Sequence, residues 1–565
     1  MSQVEDRSGG REGGRTRKQA AEAGAAAGDG QTAAGNGQAA AGNGQASARE
    51  TAAGTGSVRS KGLGADSVGL VGSTVIGLST VAPVYCLTST LGPTVGEVGP
   101  QLPAVFLAGF LPMLLVAFAY RELNSAVPDC GTSFTWTVKA FGPRVGWMCG
   151  WGLVIATVIV LSNLAGVAAE FLYLLLTEVT GSTAVADFGA RTPVHVLTVL
   201  LLIAAATALG YRGMTATAWF QYALVGLQLA VLALFVGRAL GRAGEGGGRG
   251  GAGLDFSWSW FDPFAVSSFA AFTAGLSLSI FIYWGWDATL TLNEETSGST
   301  RTPGRAAMLA MAILVGSYAL TAVAAMRFAG TGETGLGLGN PATSDNVFAA
   351  LAEPVLGPYS ALLFLAVLAS AAASLQTTFL PAARTMLAMS TYRAIPASFA
   401  RVHPGFRTPG RATVAAGLAT GLFYAVMAVV SENILVDTVY ALGLMICFYY
   451  ALTAFACVWY FRRELTGALR RDGTPGGVRR LLQRGVLPLL GGLLLTAVFA
   501  KTLLDMWDPA YGSGSAVAGV GSVFVIGVGV LLLGAVLMEL MRRRSPAFFR
   551  GEVLTRETPA MVEEE

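Results

Sequence analysis

For a chain of 565 residues, this one has little charge. Asp, Glu, Lys and Arg make up 13% of it, about half the share usual in a soluble protein. It has two histidines, His195 and His403, far apart in sequence. Five cysteines, Cys86, Cys130, Cys149, Cys447 and Cys457, are scattered with no C-x-x-C pair. These absences argue against a disulfide framework, a bound metal or a resident cofactor. There is no G-x-x-x-x-G-K-S/T loop, so ATP hydrolysis has no motor here. The net charge of +3 is too small to argue for nucleic acid or for an acidic partner.

What is abundant is apolar sequence, 53% of the residues, gathered into long blocks. A helix needs about 20 apolar residues to cross a bilayer. Helices are also the natural way to hide so much backbone in lipid. Twelve spans are predicted, near 66–91, 103–124, 144–176, 193–210, 216–238, 264–292, 306–326, 357–388, 410–431, 434–460, 486–507 and 518–541. With the N-terminus inside, the inner loops carry the basic clusters Arg393, Arg401, Arg407, Arg411 and Arg462 to Arg484, and Arg542-Arg543-Arg544 follows the last span. The outer loops hold far fewer. This bias predicts a multi-pass protein of the cytoplasmic membrane, with the bilayer as a partner and both termini cytoplasmic.

Residues 1–62 are polar and read as a low-complexity cytoplasmic tail rather than a signal peptide. Within them AAGDGQ, AAGNGQ and AAGNGQ recur every seven residues. No large apolar residue in that repeat offers anything to offset ordering entropy. Segment 63–460 is expected to be the working core, 461–485 a basic loop, 486–541 two accessory helices and 542–565 a second tail. Segment 241–262 is glycine-rich and then aromatic, a flexible outer loop with an interfacial anchor. Asp345 to Leu356 is expected to form a short outer helix.

Two spans are interrupted. The first runs from Gly69 through Gly72 and Gly77 to Pro83, with Ser73, Thr74, Ser79 and Thr80 between. Pro83 removes a backbone donor and clashes with the preceding turn, so the helix is predicted to open at about Gly77–Ala82. The second sets Gly285 among Phe281, Tyr283, Trp284 and Trp286, with Asp287 next. A carboxylate so deep in a span is a functional candidate by default, although Asp is also a preferred N-cap for a second half-helix. Five spans begin with each break, the spacing of two inverted repeats with substrate where the broken helices meet. Open N–H groups suit an anion, and aromatic rings suit an amine. No nucleophile–base pair or metal cluster stands in the spans, so an enzyme is not expected.

Three ordered blocks resemble the amino acid–polyamine–organocation superfamily. They are Tyr120 to Trp136 with Ala140 to Trp147, Gly285 to Thr296 with Arg301 to Arg305, and Ala383 to Ser390 with Arg401 to Pro409. The resemblance covers about 66–460. It implies an all-α membrane protein with a LeuT-like 5+5 inverted repeat plus two C-terminal helices, and a secondary transporter of amino acids or amines. It implies a substrate carboxylate on backbone N–H groups at Ser79, Thr80 and Val81, with Gly77 as hinge. It implies a substrate amine at Phe281, Ile282, Tyr283 and Trp284. Asp287 matches a gating or coupling carboxylate, and Gln228 stands where some members place a coupling lysine. The coupling ion, proton or sodium, stays open. The glycine signature also departs at Ser79. Glu122, Asp129, Glu294 and Glu295 are expected to close an inner gate with Arg121, Arg301 or Arg305. A polyamine, an inorganic ion or a sensor role are the alternatives.

Smaller signals carry bland readings. Glu170 is expected to be exposed, Ser370 and Ser374 to serve helix packing, and Tyr440 to be an interfacial anchor. Asn163 lies in the same span as Glu170.

Overall fold

A computed structural model describes residues 61–64, 67–213, 218–243, 253–430, 434–470 and 475–560. The repeat tail therefore lies outside the described residues, apart from Lys61 and Gly62. Lys61 is not a solvated tail residue. Its ammonium is buried in an ion-pair cluster, so the boundary at residue 62 moves toward the N-terminus.

The chain is helical nearly throughout, as long uncharged runs dictate when backbone groups have no water to bond. Ten helical runs among the described residues are long and apolar enough to cross a membrane. In order, α1 is Leu70–Val81, α2 Pro83–Val98, α3 Leu102–Ala126, α4 Ser133–Phe141 and α5 Pro143–Thr180. Then come α6 Thr183–Gly189, α7 Thr192–Arg212, α8 Ala218–Gly241, α9 Phe269–Ile282, α10 Ala288–Thr291 and α11 Thr302–Ala329. They are followed by α12 Val347–Leu356, α13 Ser360–Thr391, α14 Gly410–Val430 and α15 Ile434–Tyr460. Last are α16 Arg462–Arg470, α17 Pro475–Leu481, α18 Leu487–Asp505, α19 Ser522–Arg544 and α20 Pro546–Phe549. A two-residue hairpin, Ala516–Val517 with Val520–Gly521, joins α18 to α19.

The centre is α5 packed along α13, and nearly all of the apolar stretch of α5 is buried. Around it, α1 lies against α8, α11 and α13, and α9 lies against α2 and α3. α15 joins the core to α18 and α19. The outermost helices expose large apolar side chains, among them Leu201, Leu418, Leu422, Val429, Leu532 and Val536. An apolar girdle of that extent calls for a non-aqueous surround.

Two expectations change. The basic loop 461–485 is helical where described, as α16 and α17 with a π-helical turn at Leu482–Val486, because Leu465 and Gly485 bury on one side. The tail after Arg544 folds back onto the body. The short helix expected at Asp345 to Leu356 is α12, preceded by a 3-10 turn. Residues 244–252 of the glycine-rich loop lie outside the described residues. The aromatics after them form a 3-10 turn in which Trp260 is buried and Trp258 exposed. The face carrying Lys61 and the end of the chain is called the tail face below.

Candidate functional site

The first break is a single residue. α1 is continuous through Gly77 to Val81, and only Ala82 leaves the helix, at φ 56 and ψ 68, before Pro83 opens α2. An alanine in the left-handed region is strained. It persists because Pro83 cannot accept the next helical turn. This corrects the predicted opening at Gly77–Ala82. Gly77 is packed, since a Cβ there would stand 2.8 Å from Thr289 Cγ2. Ser79, Thr80 and Val81 form the last turn of α1, so their N–H groups close helical bonds and are not open to a carboxylate. Their end of the helix offers carbonyls instead. The Ser374 hydroxyl donates to Thr80 O at 2.7 Å, and Cys86 Sγ donates to Val81 O at 2.9 Å. The donors beyond the break belong to α2, where Tyr85 N–H reaches Ser370 Oγ at 3.3 Å. Ser370 and Ser374 thus bond the break as well as pack.

The second break lies close to its predicted place, from Tyr283 to Asp287 between α9 and α10. Phe281 and Ile282 end α9, Tyr283 and Trp284 form the turn, and all four are buried. Gly285 has φ +105, a conformation that L side chains rarely adopt. A Cβ on Gly285 would meet Thr80 Cγ2 at 3.2 Å and the Thr80 carbonyl group at 3.3 Å. The two breaks, about 200 residues apart in sequence, are therefore in contact.

Gly285→Ala is expected to destabilise the protein by roughly 1–3 kcal/mol through backbone strain. Gly316→Ala is the control, because a Cβ there meets nothing within 4 Å. Thermal unfolding of the two variants checks this. Equal behaviour of the two variants would remove the importance of this contact.

A polar network runs from the first break into α8 and α13. The Ser79 hydroxyl donates to Gln221 Oε1 at 2.6 Å, and Gln221 Nε2 donates to Gln376 Oε1 at 2.6 Å and to Ala373 O at 3.3 Å. The Thr377 hydroxyl reaches Ser79 Oγ at 3.4 Å. Gln221, and not Gln228, is thus the α8 residue bonded to the break. The two lie seven residues apart on one helix face, which is the signal that was available. Gln228 is fully buried, and neither of its amide atoms has a hydrogen-bond partner among the described residues.

Aromatic side chains close the second break. Tyr283 packs with Phe110 and Tyr318, each 5.3 Å between centroids. Trp284 Nε1 donates to Tyr449 Oη at 2.5 Å. Trp286 stands 5.1 Å from Tyr120 and 5.5 Å from Tyr450. Asp287 lies beside Tyr120, Tyr449 and Tyr450. It precedes α10 yet makes no side-chain capping bond, and its Oδ2 is buried without a hydrogen-bond partner among the described residues. The capping reading of Asp287 therefore falls. Tyr120, Tyr449 and Tyr450 come from α3 and α15 and carried no local signal in the sequence.

On the far side from the tail face, a cavity of about 580 Å³ is lined by Asn163, Glu170, His195, Asp345, Asn346 and Tyr440, among others. Glu170 is not free in solvent, since Asn346 Nδ2 donates to it at 2.6 Å. Tyr440 is buried rather than an interfacial anchor, with its hydroxyl 3.5 Å from Glu97. Asn163 accepts from the Tyr85 hydroxyl at 2.5 Å. A second cavity of about 260 Å³ enters from the tail face and reaches Gln221.

The tail face is closed by charge. Lys61 Nζ donates to Asp129 at 2.7 Å and to Glu294 at 2.5 Å. Asp129 also accepts from Gly131 N, Thr135 and Tyr392, and Glu294 accepts from Cys130 N. Arg384 pairs with Glu295 at 2.6 Å, and Glu122 pairs with Arg121 and Arg484. The acids are those expected. Their partners are chiefly Lys61, Arg384 and Arg484 in place of Arg301 and Arg305, because segments distant in sequence meet here. Burial pushes Asp129 up, but the adjacent Lys61 outweighs it and holds the carboxyl below its usual range. Burial pushes Lys61 down, and Asp129, Cys130 and Glu294 together lift it well above the lysine range. Burial leaves Glu294 raised even so, since one ammonium cannot neutralise two buried acids. Asp129, Cys130 and Glu294 are also close enough to share a metal ion. The Lys61 ammonium already bonds both of these carboxylates.

The family model described as amino acid permease matches residues 66–478. The methylthioribose transporter of Bacillus subtilis is 28% identical over 367 residues, covering 61% of this chain and 73% of its own. The low-affinity putrescine importer PlaP of Escherichia coli is 26% identical over 241 residues, covering 42% of this chain and 49% of its own. Among solved structures, MhsT in complex with L-phenylalanine aligns with a TM-score of 0.49 and 16% identity, over 75% of this chain and 98% of its own.

Proposed function

The chain belongs to the amino acid permease family, and on that premise we propose that it moves amino acids or related amines across the cytoplasmic membrane by alternating access. The observation that carries this reading is the contact of Gly285 with Thr80. It brings two broken helices together where each leaves its regular helical pattern. Unpaired backbone at mid-membrane is tolerated where it faces protein or a solute path.

In this reading α1 with α2 and α9 with α10 are two discontinuous spans, which makes twelve spans in two inverted sets of five plus α18 and α19. The basic tail face is cytoplasmic. The substrate sits between the breaks, with its amine toward Tyr283, Trp284 and Asp287. Its carboxylate, where it has one, lies toward the first turn of α2. Asp287 carries the coupling charge, since Gln228 cannot hold a proton. The cavity holding Glu170 is the outer path, and the cavity reaching Gln221 is the inner one.

The charge of the site favours a cationic headgroup. Asp287 is buried with an unpartnered oxygen, and Glu170 and Asp345 line the outer path. That supports a polyamine as the second reading, in keeping with a relative that imports putrescine. Purified protein in liposomes loaded with each member of an amino acid and amine panel should show counterflow for at least one. Absence of counterflow and of thermal stabilisation across the panel would sink the substrate claim.

A further inference from the structure

We propose that the segment following α19, residues 545–558, is a strap that holds the tail face closed, and that its release is a control on opening. The need for opening rests on the alternating-access reading, whereas the strap itself rests on packing.

The sequence at this end is polar and basic, Arg542-Arg543-Arg544 followed by a short mixed tail. Such a tail ordinarily stays in water. Here Phe548 is 1% exposed and Leu554 3% exposed. Phe548 stacks on Phe134 of α4, 6.0 Å between centroids and 25° between planes. Both side chains join one apolar cluster with Leu63, Cys130, Trp147 and Tyr392. Leu63 lies two residues beyond Lys61, and Tyr392 donates to Asp129. The strap therefore packs into the layer that carries the charged closure.

Polar contacts pin it at two places. Lys139, at the end of α4, donates to Thr555 O at 3.3 Å and to Thr558 O. Arg556 donates to Tyr460 O at 2.6 Å, with its guanidinium 5.3 Å above the Tyr460 ring. α4 begins directly after the Asp129–Gly131 turn, so a segment fastened to its far end limits how that turn moves. Apart from four-residue α20 the strap has no regular structure of its own. Lys139 is held by neutral carbonyls that water can replace. Its own hydrogen bonds stay within residues 546–558, and its polar anchors to the body run through carbonyls that water can replace, so it can leave the body without breaking a core helix.

Cys130 reports on this directly, because it is fully buried in the same cluster. The full chain is prepared with Cys130 as its only cysteine, in nanodiscs where both faces are accessible. Alkylation by a water-soluble maleimide is timed without substrate, so the result stands even if the transport reading fails. Truncation after Arg544, the pair Phe548→Ala and Leu554→Ala, and Lys139→Met should each raise the Cys130 rate at least tenfold. A parallel protein with Cys447 alone should change less than twofold. An unchanged Cys130 rate overturns the strap. A matching rise at Cys447 overturns it too, because that is general loosening. If the truncation aggregates, Lys139→Met and Arg556→Gln decide the matter, since they remove only the outer polar anchors.

Discussion

Asp287→Asn is expected to leave the protein folded while uptake falls at least tenfold and loses its pH dependence. The side chain is 2% exposed, its Oδ2 has no partner, and no basic side chain pairs with it among the described residues. A buried carboxylate without a counter-charge is costly, and Asn removes that cost at almost the same volume. Thermal stability in detergent should therefore hold or rise. A tenfold loss of uptake corresponds to about 1.4 kcal/mol, the scale of one lost polar contact with a cation. Unchanged uptake over a pH series would take the coupling role away from Asp287. Tyr450→Phe is the companion, because its hydroxyl is buried beside Asp287. It should weaken uptake without removing the pH dependence.

Lys61→Met should produce the largest change in conformational balance. It leaves Asp129 and Glu294 buried with no ammonium between them. Removing one partner of a buried pair costs about 3–5 kcal/mol, enough to shift a two-state equilibrium by about two to nearly four orders of magnitude. The expected readouts are a lower unfolding midpoint and faster alkylation of Cys130. Adding Glu294→Gln should restore part of both, because one acid is then neutral. Failure of the second substitution to rescue would show that Lys61 acts through packing alone. The pH window follows from the directions of shift. Asp129 lies below its ordinary value, so its contribution is present above the ordinary aspartate range. It is lost as pH falls through the lowered value. Lys61 lies above its ordinary value, so its contribution is full below that value and lost only as pH rises through the raised one. Glu294, raised, works against closure as pH climbs past the ordinary glutamate range. Near neutral pH Lys61 and Asp129 both contribute in full.

The sequence by itself determined the class and the place of the breaks along the chain. Low charge and blocks of about 20 apolar residues leave helices in a bilayer as the solution, because backbone groups must be satisfied within each segment. Pro83 and Gly285 are local facts of covalent geometry, so both interruptions were legible, the second within one residue. The first was drawn too wide, since three glycines loosen a helix only where nothing packs on it. Gly77 is packed against Thr289.

Partnership was a different matter. That Gly285 touches Thr80, that Gln221 rather than Gln228 bonds Ser79, and that Lys61 rather than Arg301 meets Glu294 are facts about segments far apart along the chain. The same holds for the folding back of Phe548 and Leu554. Periodicity reports which face of a helix is apolar, but not which helix lies against it. Only the tertiary structure brought those faces together. It brought the two breaks into contact, left one oxygen of Asp287 without a hydrogen-bond partner among the described residues, and packed a basic tail onto the charged face.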